Sequence, residues 1–149
     1  MLDDQERIQL IRNTVGLGTA FWFNRNPPFA STVPHTFIVI GSRDDGTYLC
    51  VHGTSKVSFH KAKILEEHFN NKNVDQTFVV VRQGNSALFW EDTLIDCNKV
   101  WALKANDITE GLMEFREDDA EVELMQAIVA AVNKSKAHSP AIKKCVRAQ

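Results

Sequence analysis

The sequence has few cysteines, and their spacing excludes two classes of small protein. Cys50, Cys97 and Cys145 are far apart and form no Cys-x-x-Cys pair. Neither a disulfide framework nor a zinc knuckle is therefore expected. Cys50 and Cys97 lie in apolar segments, which predicts buried and reduced thiols.

Positive charge is not in excess either. Seventeen Lys and Arg residues face nineteen Asp and Glu residues, for a formal net charge of −2. This excludes a protein that holds nucleic acid through a general positive field, so RNA or DNA would need a local patch. The charges are unevenly distributed, because acidic residues crowd positions 107–123 and basic residues dominate after position 133.

Long apolar runs are absent as well. The longest are far short of the ~20 residues that a membrane helix needs, and the opening segment MLDDQERIQLIRN has no apolar core typical of a signal peptide. We therefore expect a cytoplasmic protein with no membrane partner. An apolar fraction of 44% over 149 residues is that of one ordinary folded domain.

Several motifs that carry chemistry are missing. The glycines of GLGTAF do not follow an apolar strand in the way that a dinucleotide loop requires. There is also no GxSxG, no HExxH and no EF-hand loop. No cofactor and no metal site are expected.

What is present is mainly the pattern of short strands. HTFIVIGS and TYLCVHGT, residues 35–42 and 47–54, are rich in β-branched and aromatic residues and flank the turn sequence RDDG. This predicts an antiparallel hairpin. Both strands are almost continuously apolar, which indicates a pair buried in a small barrel or sandwich.

The remaining elements follow from local patterns. A helix is predicted over 3–13, a strand over 19–23 and a proline-rich loop over 24–34. Further predictions are a helix over 61–69, strands over 76–81, 86–90 and 93–97, and a short helix starting near 106. A longer helix, capped by Asp118 or Asp119 and ending near Asn133, would bury Val122, Met125, Val129 and Val132.

This order predicts an α+β, mainly β, fold: a small antiparallel, partly closed barrel with helices at its N- and C-terminal ends. We expect a single domain over residues 1–149. Its barrel core would cover about 15–104, its helical part about 105–135 and its basic tail 136–149.

A polar cluster marks the open end of the hairpin. Thr54, Ser55 and Lys56 end the second strand, and His60 follows shortly after. His35 begins the paired strand and should lie near Thr54. Two hydroxyls and an ammonium can hold a phosphate, and a histidine can move a proton, as RNA cleavage by the 2′-hydroxyl requires. The alternative is that Thr-Ser is only a turn or a helix cap.

The run HTFIVIGSRDDGTYLCVHGTSK resembles the second and third strands of the MazF/PemK-like toxin family. There an apolar strand ends in Ser, as Ser42 does here, and the next strand ends in a Thr-Ser pair. GLGTAFWFNRNPPF upstream and ALFWEDTLIDCNKVWAL downstream fit the family's order of segments. The similarity spans roughly residues 15–135.

The resemblance implies an SH3-like barrel that forms a homodimer and acts as a metal-independent endoribonuclease, the toxin of a toxin–antitoxin pair. RNA and a protein antitoxin would be its partners. Thr54 and Ser55 occupy the family's hydroxyl position. The family's catalytic arginine falls on or beside His35. Histidine can be an acid or a base but offers no guanidinium clamp.

Three explanations of this difference stay open. His35 has taken over the role of the family's catalytic arginine, Arg25 or Arg43 supplies the guanidinium from a loop, or the chain is not a nuclease. The predicted catalytic residues are thus His35, Thr54 and Ser55. The predicted substrate-binding residues are Ser42, Lys56, Trp22, Arg25 and His60.

Two other functions fit the same residues. One is a non-catalytic SH3-like barrel that binds a protein or a nucleic acid. The other is an RNase that resembles the type III toxins, whose core strand also ends in Thr-Ser followed by Lys. A basic cluster near the C-terminus is either a solvated tail or a surface for an RNA backbone or an acidic antitoxin segment. It comprises Lys134, Lys136, Lys143, Lys144 and Arg147.

Overall fold

The computed structural model describes residues 1–25 and 33–146. Most of the predicted proline-rich loop, and Arg147, therefore lie outside the described residues. The strands are β1 Ala20–Phe23, β2 His35–Ser42, β3 Tyr48–Thr54, β4 Phe78–Val81, β5 Thr93–Asp96, β6 Trp101–Leu103 and β7 Leu112–Phe115. The helices are α1 Asp4–Thr14, α2 Val57–Glu67, α3 Ala105–Gly111, α4 Val122–Lys134 and α5 Pro140–Cys145, with a 3-10 turn at Val74–Gln76.

The strands form one antiparallel sheet in the order β4-β5-β3-β2-β1-β7. β3 pairs with β2 along one edge. Along its other edge it pairs first with β6 and then with β5. The α+β class is confirmed, and the sheet is not closed into a barrel within the described residues.

Both faces of the sheet are covered. One apolar layer includes Ile38 and Val51 from the sheet and Ile128 from α4. The other includes Phe37 and Cys50, with residues of α1 and α3. Burial on both faces explains why β2 and β3 are almost continuously apolar in sequence.

The C-terminal basic segment is more ordered than a tail. Ser139 caps α5 by accepting from the backbone N–H of Ile142. Val146 then pairs with Gly41 of β2 as an isolated bridge. A Cβ on Gly41 would stand 1.9 Å from the carbonyl oxygen of Cys145, so only glycine permits this approach.

The predicted strand over 86–90 is wrong. Glu121 accepts from the Ser86 hydroxyl at 2.7 Å and from the Ala87 backbone N–H at 3.0 Å, which holds this segment as a turn. Leu88 is buried there while Trp90 is 76% exposed. Side-chain hydrogen bonds of this kind compete with strand pairing.

Other predictions differ by smaller amounts. α2 begins at Val57 instead of residue 61, and β4 begins after the 3-10 turn at Phe78. The buried face of α4 is Leu124, Met125, Ile128, Ala131 and Val132, and Val122 is 49% exposed. The buried state of Cys50 and Cys97 is confirmed, and neither is in a disulfide. Among the described helices none has the length and apolarity to cross a bilayer.

Candidate functional site

A cleft of about 220 Å³ lies at the end of the sheet where β2 begins and β3 ends. It brings together four residues that the sequence predicted as site residues: His35, Thr54, Ser55 and Trp22. The remaining lining residues are Val33, Pro34, Thr36, Gly53, Leu88, Phe89, Trp90, Glu91, Thr93 and Arg116.

The register of the hairpin explains why His35 and Thr54 meet. Phe37 pairs with His52, so the same register continued by two residues sets His35 opposite Thr54. Alternate residues share a face, which puts His35, Phe37, His52 and Thr54 on one side of the sheet. The His35 ring meets the His52 ring edge-on at 5.4 Å between centroids.

One hydrogen bond determines the tautomer of His35. Its Nδ1 lies 3.0 Å from the carbonyl oxygen of Val33. A carbonyl can only accept, so Nδ1 carries the proton. In neutral His35 the lone pair is therefore on Nε2, which is the basic atom of this tautomer.

His52 lies beneath His35 as a neutral side chain. Burial lowers its pKa to about 3, and the charges of His35, Lys99 and His60 act in the same direction. Trp101 donates its indole N–H to His52 Nδ1 at 2.9 Å, and the His52 ring stacks on Phe37. His52 thus gives His35 a rigid and uncharged neighbour at neutral pH.

Arg116 is a cationic side chain of the cleft that the sequence did not predict. It follows β7 directly, and its backbone N–H donates to the carbonyl of Ala20 in β1 at 2.9 Å. Its guanidinium lies 5.2 Å from the ring centroid of Trp22 and 5.9 Å from that of Trp90. One guanidinium nitrogen also lies 3.5 Å from the Thr36 hydroxyl.

Arg116, just after β7, thus brings a permanent positive charge into the cleft from a segment distant in sequence. The one signal in the sequence is that it is the only basic residue within the acidic stretch 107–123. This position in the sequence does not place Arg116 in the cleft unless β7 is known to pair with β1.

Four predicted site residues lie outside the cleft. Ser42 is at the opposite end of β2, beside α5. Arg25 forms ion pairs with Asp107 and Glu110 of α3. Lys56 is exposed at the start of α2.

His60, the fourth, is on α2 with its ring edge-on to Phe59. Burial and the nearby Lys63 lower its pKa. Arg43, the other arginine considered, is exposed in the hairpin turn, at the far end of β2 from His35.

A second cavity of about 410 Å³ adjoins the cleft. The two share Trp22, Leu88, Trp90 and Arg116. Three carboxylates line the second cavity alone: Glu114, Glu117 and Asp118. The Trp22, Arg116 and Trp90 side chains are therefore shared by a cleft with a histidine and hydroxyls and a cavity with three carboxylates.

Metal donors do not cluster in the part of the chain that is described: no three His, Cys, Asp or Glu side chains lie close enough to hold an ion. Comparisons of the chain with protein-family models, curated proteins and solved structures gave no match. A functional assignment therefore depends on the geometry of the cleft.

Proposed function

We propose that the protein is an endoribonuclease that cleaves single-stranded RNA in the cleft where β2 begins and β3 ends. The observation that carries the proposal is the meeting of His35, Thr54 and Arg116 in one cleft whose wall includes Trp22. A base and charge-stabilising donors promote RNA cleavage by transesterification, and an aromatic surface can stack an unpaired base.

The proposed reaction begins at the ribose 2′-hydroxyl. His35 Nε2 takes its proton, and the 2′-oxygen attacks the adjacent phosphorus. The bond from phosphorus to the 5′-oxygen breaks, and that oxygen takes a proton from water. The products are a 2′,3′-cyclic phosphate and a 5′-hydroxyl. Arg116 and the hydroxyls of Thr54 and Ser55 stabilise the charge that develops on the phosphoryl oxygens.

Arg116 supplies the guanidinium that the resemblance places at His35. It enters the cleft from β7, while neither Arg25 nor Arg43 lines it. We also propose that the sheet is an opened SH3-like barrel. The support is that β3 pairs with two strands, β6 and β5, along one edge.

The test is cleavage of a mixed-sequence RNA oligonucleotide by purified protein. We expect His35→Ala and Arg116→Ala each to lower kcat/KM by about 10² to 10⁴, since general bases and charge-stabilising donors contribute on that scale. Thr54→Ala should lose activity with them. Arg43→Ala, an exposed turn arginine, is the matched control and should cleave normally. Full activity of His35→Ala would refute the assignment.

A second candidate is a non-catalytic module that binds a partner. Glu91 lines the cleft and would repel a phosphate, and the 76% exposed Trp90 offers apolar surface to a protein. Protein that cuts no RNA at any pH, yet is recovered from cells in a stable complex, would favour this candidate.

A further inference from the structure

The second cavity beside the cleft has the size and the walls of a binding site. Its volume of about 410 Å³ lies within the range of small-ligand pockets. Trp22 and Trp90 form its aromatic wall, with ring centroids 6.3 Å apart and planes at 77°. Trp90 is 76% exposed, so its ring is accessible to a ligand in this cavity, and this wall is the starting observation.

Arg116 joins the cavity to the cleft. Its guanidinium contacts both tryptophan rings and lines both spaces. A ligand with a flat ring on the tryptophan side and an anionic group on the arginine side would fill both. A nucleotide has this shape, because its base stacks on aromatic side chains while its phosphate pairs with a guanidinium.

The carboxylates restrict which base fits. Glu114 pairs with Trp22 across β1 and β7, so the two side chains share a face of the sheet. A carboxylate only accepts hydrogen bonds, and two oxygens match two adjacent donors. Guanine alone among the RNA bases presents two adjacent donors, N1–H and the N2 amino group, on its Watson–Crick edge.

We propose that this cavity is a guanine subsite in which Glu114 reads the Watson–Crick edge of a base that stacks on Trp90. The proposal rests on the nuclease function above and gives it a sequence preference. The 3′-phosphate of the guanosine would enter the cleft that Arg116 and His35 both line, so cleavage follows guanosine. Glu117 and Asp118 line the cavity and repel phosphate, so the phosphate lies on the Arg116 side of the base.

The test separates binding from cleavage by using His35→Ala protein. Quenching of tryptophan fluorescence is titrated with the 3′-monophosphates of guanosine, inosine, adenosine, cytidine and uridine. We expect guanosine 3′-phosphate to bind at least tenfold tighter than the adenosine, cytidine and uridine nucleotides. Inosine, which lacks the N2 amino group, should fall between them.

Glu114→Gln in the same background should reduce the preference for guanosine to less than threefold, because an amide offers one acceptor and one donor. Glu66→Gln, an exposed carboxylate on α2, is the matched control and should keep the preference. Equal affinity for all five nucleotides, or an unchanged preference in Glu114→Gln, would overturn the subsite. Tighter binding of an oligo-arginine peptide than of guanosine 3′-phosphate would also overturn it.

Active enzyme distinguishes this proposal from the proposed function. Cleavage without preference for guanosine would leave the nuclease standing and remove the subsite. A guanosine preference in binding without any cleavage would support the guanine subsite and refute the nuclease function.

Discussion

At the scale of the residue, two hydrogen bonds fix the chemistry of the cleft. The Nδ1–H group of His35 donates to the carbonyl oxygen of Val33, and Nδ1 of His52 accepts from the indole N–H of Trp101. The two histidines touch, yet burial keeps one of them neutral. A protonated His52 would place a positive charge against His35 in a space that cannot solvate it.

The depressed pKa of His52 predicts a loss of stability in acid. The folded state holds His52 neutral down to about pH 3, whereas the unfolded chain protonates it near its ordinary pKa of 6.5. Stability from this group is therefore complete above pH 6.5 and declines as the pH falls towards 3. The decline approaches about 1.4 kcal/mol per pH unit, or about 2 kcal/mol between pH 6.5 and 5.

His52→Phe should flatten this decline, measured as the free energy of urea unfolding at several pH values. It should also cost about 1–3 kcal/mol at pH 7, because the Trp101 indole N–H loses its acceptor. Trp101→Phe is the matched control, since it breaks the same hydrogen bond but keeps the histidine and its pH dependence. Parallel declines in wild type and His52→Phe would contradict the assignment.

At the scale of the element, strand β2 lines the cleft at its first residue and contacts the C-terminal segment near its last residue. Its first residue, His35, lines the cleft, and its Gly41 lies against the backbone that follows α5. The register with β3 shifts between Val39 and Gly41, which breaks the ladder where the C-terminal segment docks.

Gly41→Ala should displace that segment. The added methyl would overlap the Cys145 carbonyl, and overpacking of this kind costs about 1–3 kcal/mol. Gly16→Ala is the matched control, because no atom lies within 4 Å of its added Cβ. Equal free energies of urea unfolding for the two variants would show that the docking of α5 does not contribute to stability.

The elements that sequence predicted well are those fixed by nearby residues. The hairpin of β2 and β3 follows from a turn and two strongly patterned strands, and α1 follows from its acidic cap. β6 and β7 have only three and four residues, and they are strands because β3 and β1 offer them partners.

The residues of the candidate site also divide into those placed by local sequence and those placed by distant contacts. His35 and Thr54 are joined by hairpin register and were predictable. Arg116 depends on the pairing of β7 with β1, and Trp90 depends on a turn held by Glu121. Contacts between residues so far apart in sequence leave no local pattern to read.

At the scale of the whole molecule, the basic C-terminal segment and the cleft lie at opposite ends of β2. α5 docks at Gly41 and Ser42, and His35 is about seven residues away, roughly 23 Å along a strand. Lys143 also donates to the Asn133 carbonyl at 3.0 Å. RNA in the cleft would therefore meet few cations, which is compatible with the net charge of −2.

This separation predicts a weak salt dependence of RNA binding by His35→Ala protein. Each phosphate contact to a single strand contributes about −0.7 to the slope of log K against log salt. With one or two contacts, affinity should fall less than about tenfold between about 50 and 200 mM salt. Adding Arg116→Gln should lower the magnitude of the slope by about 0.7, as fluorescence anisotropy would measure. The pair Lys143→Gln and Lys144→Gln should leave it unchanged. A fall in affinity above about 100-fold in the parent protein, abolished by the lysine pair, would instead place the RNA on the C-terminal segment.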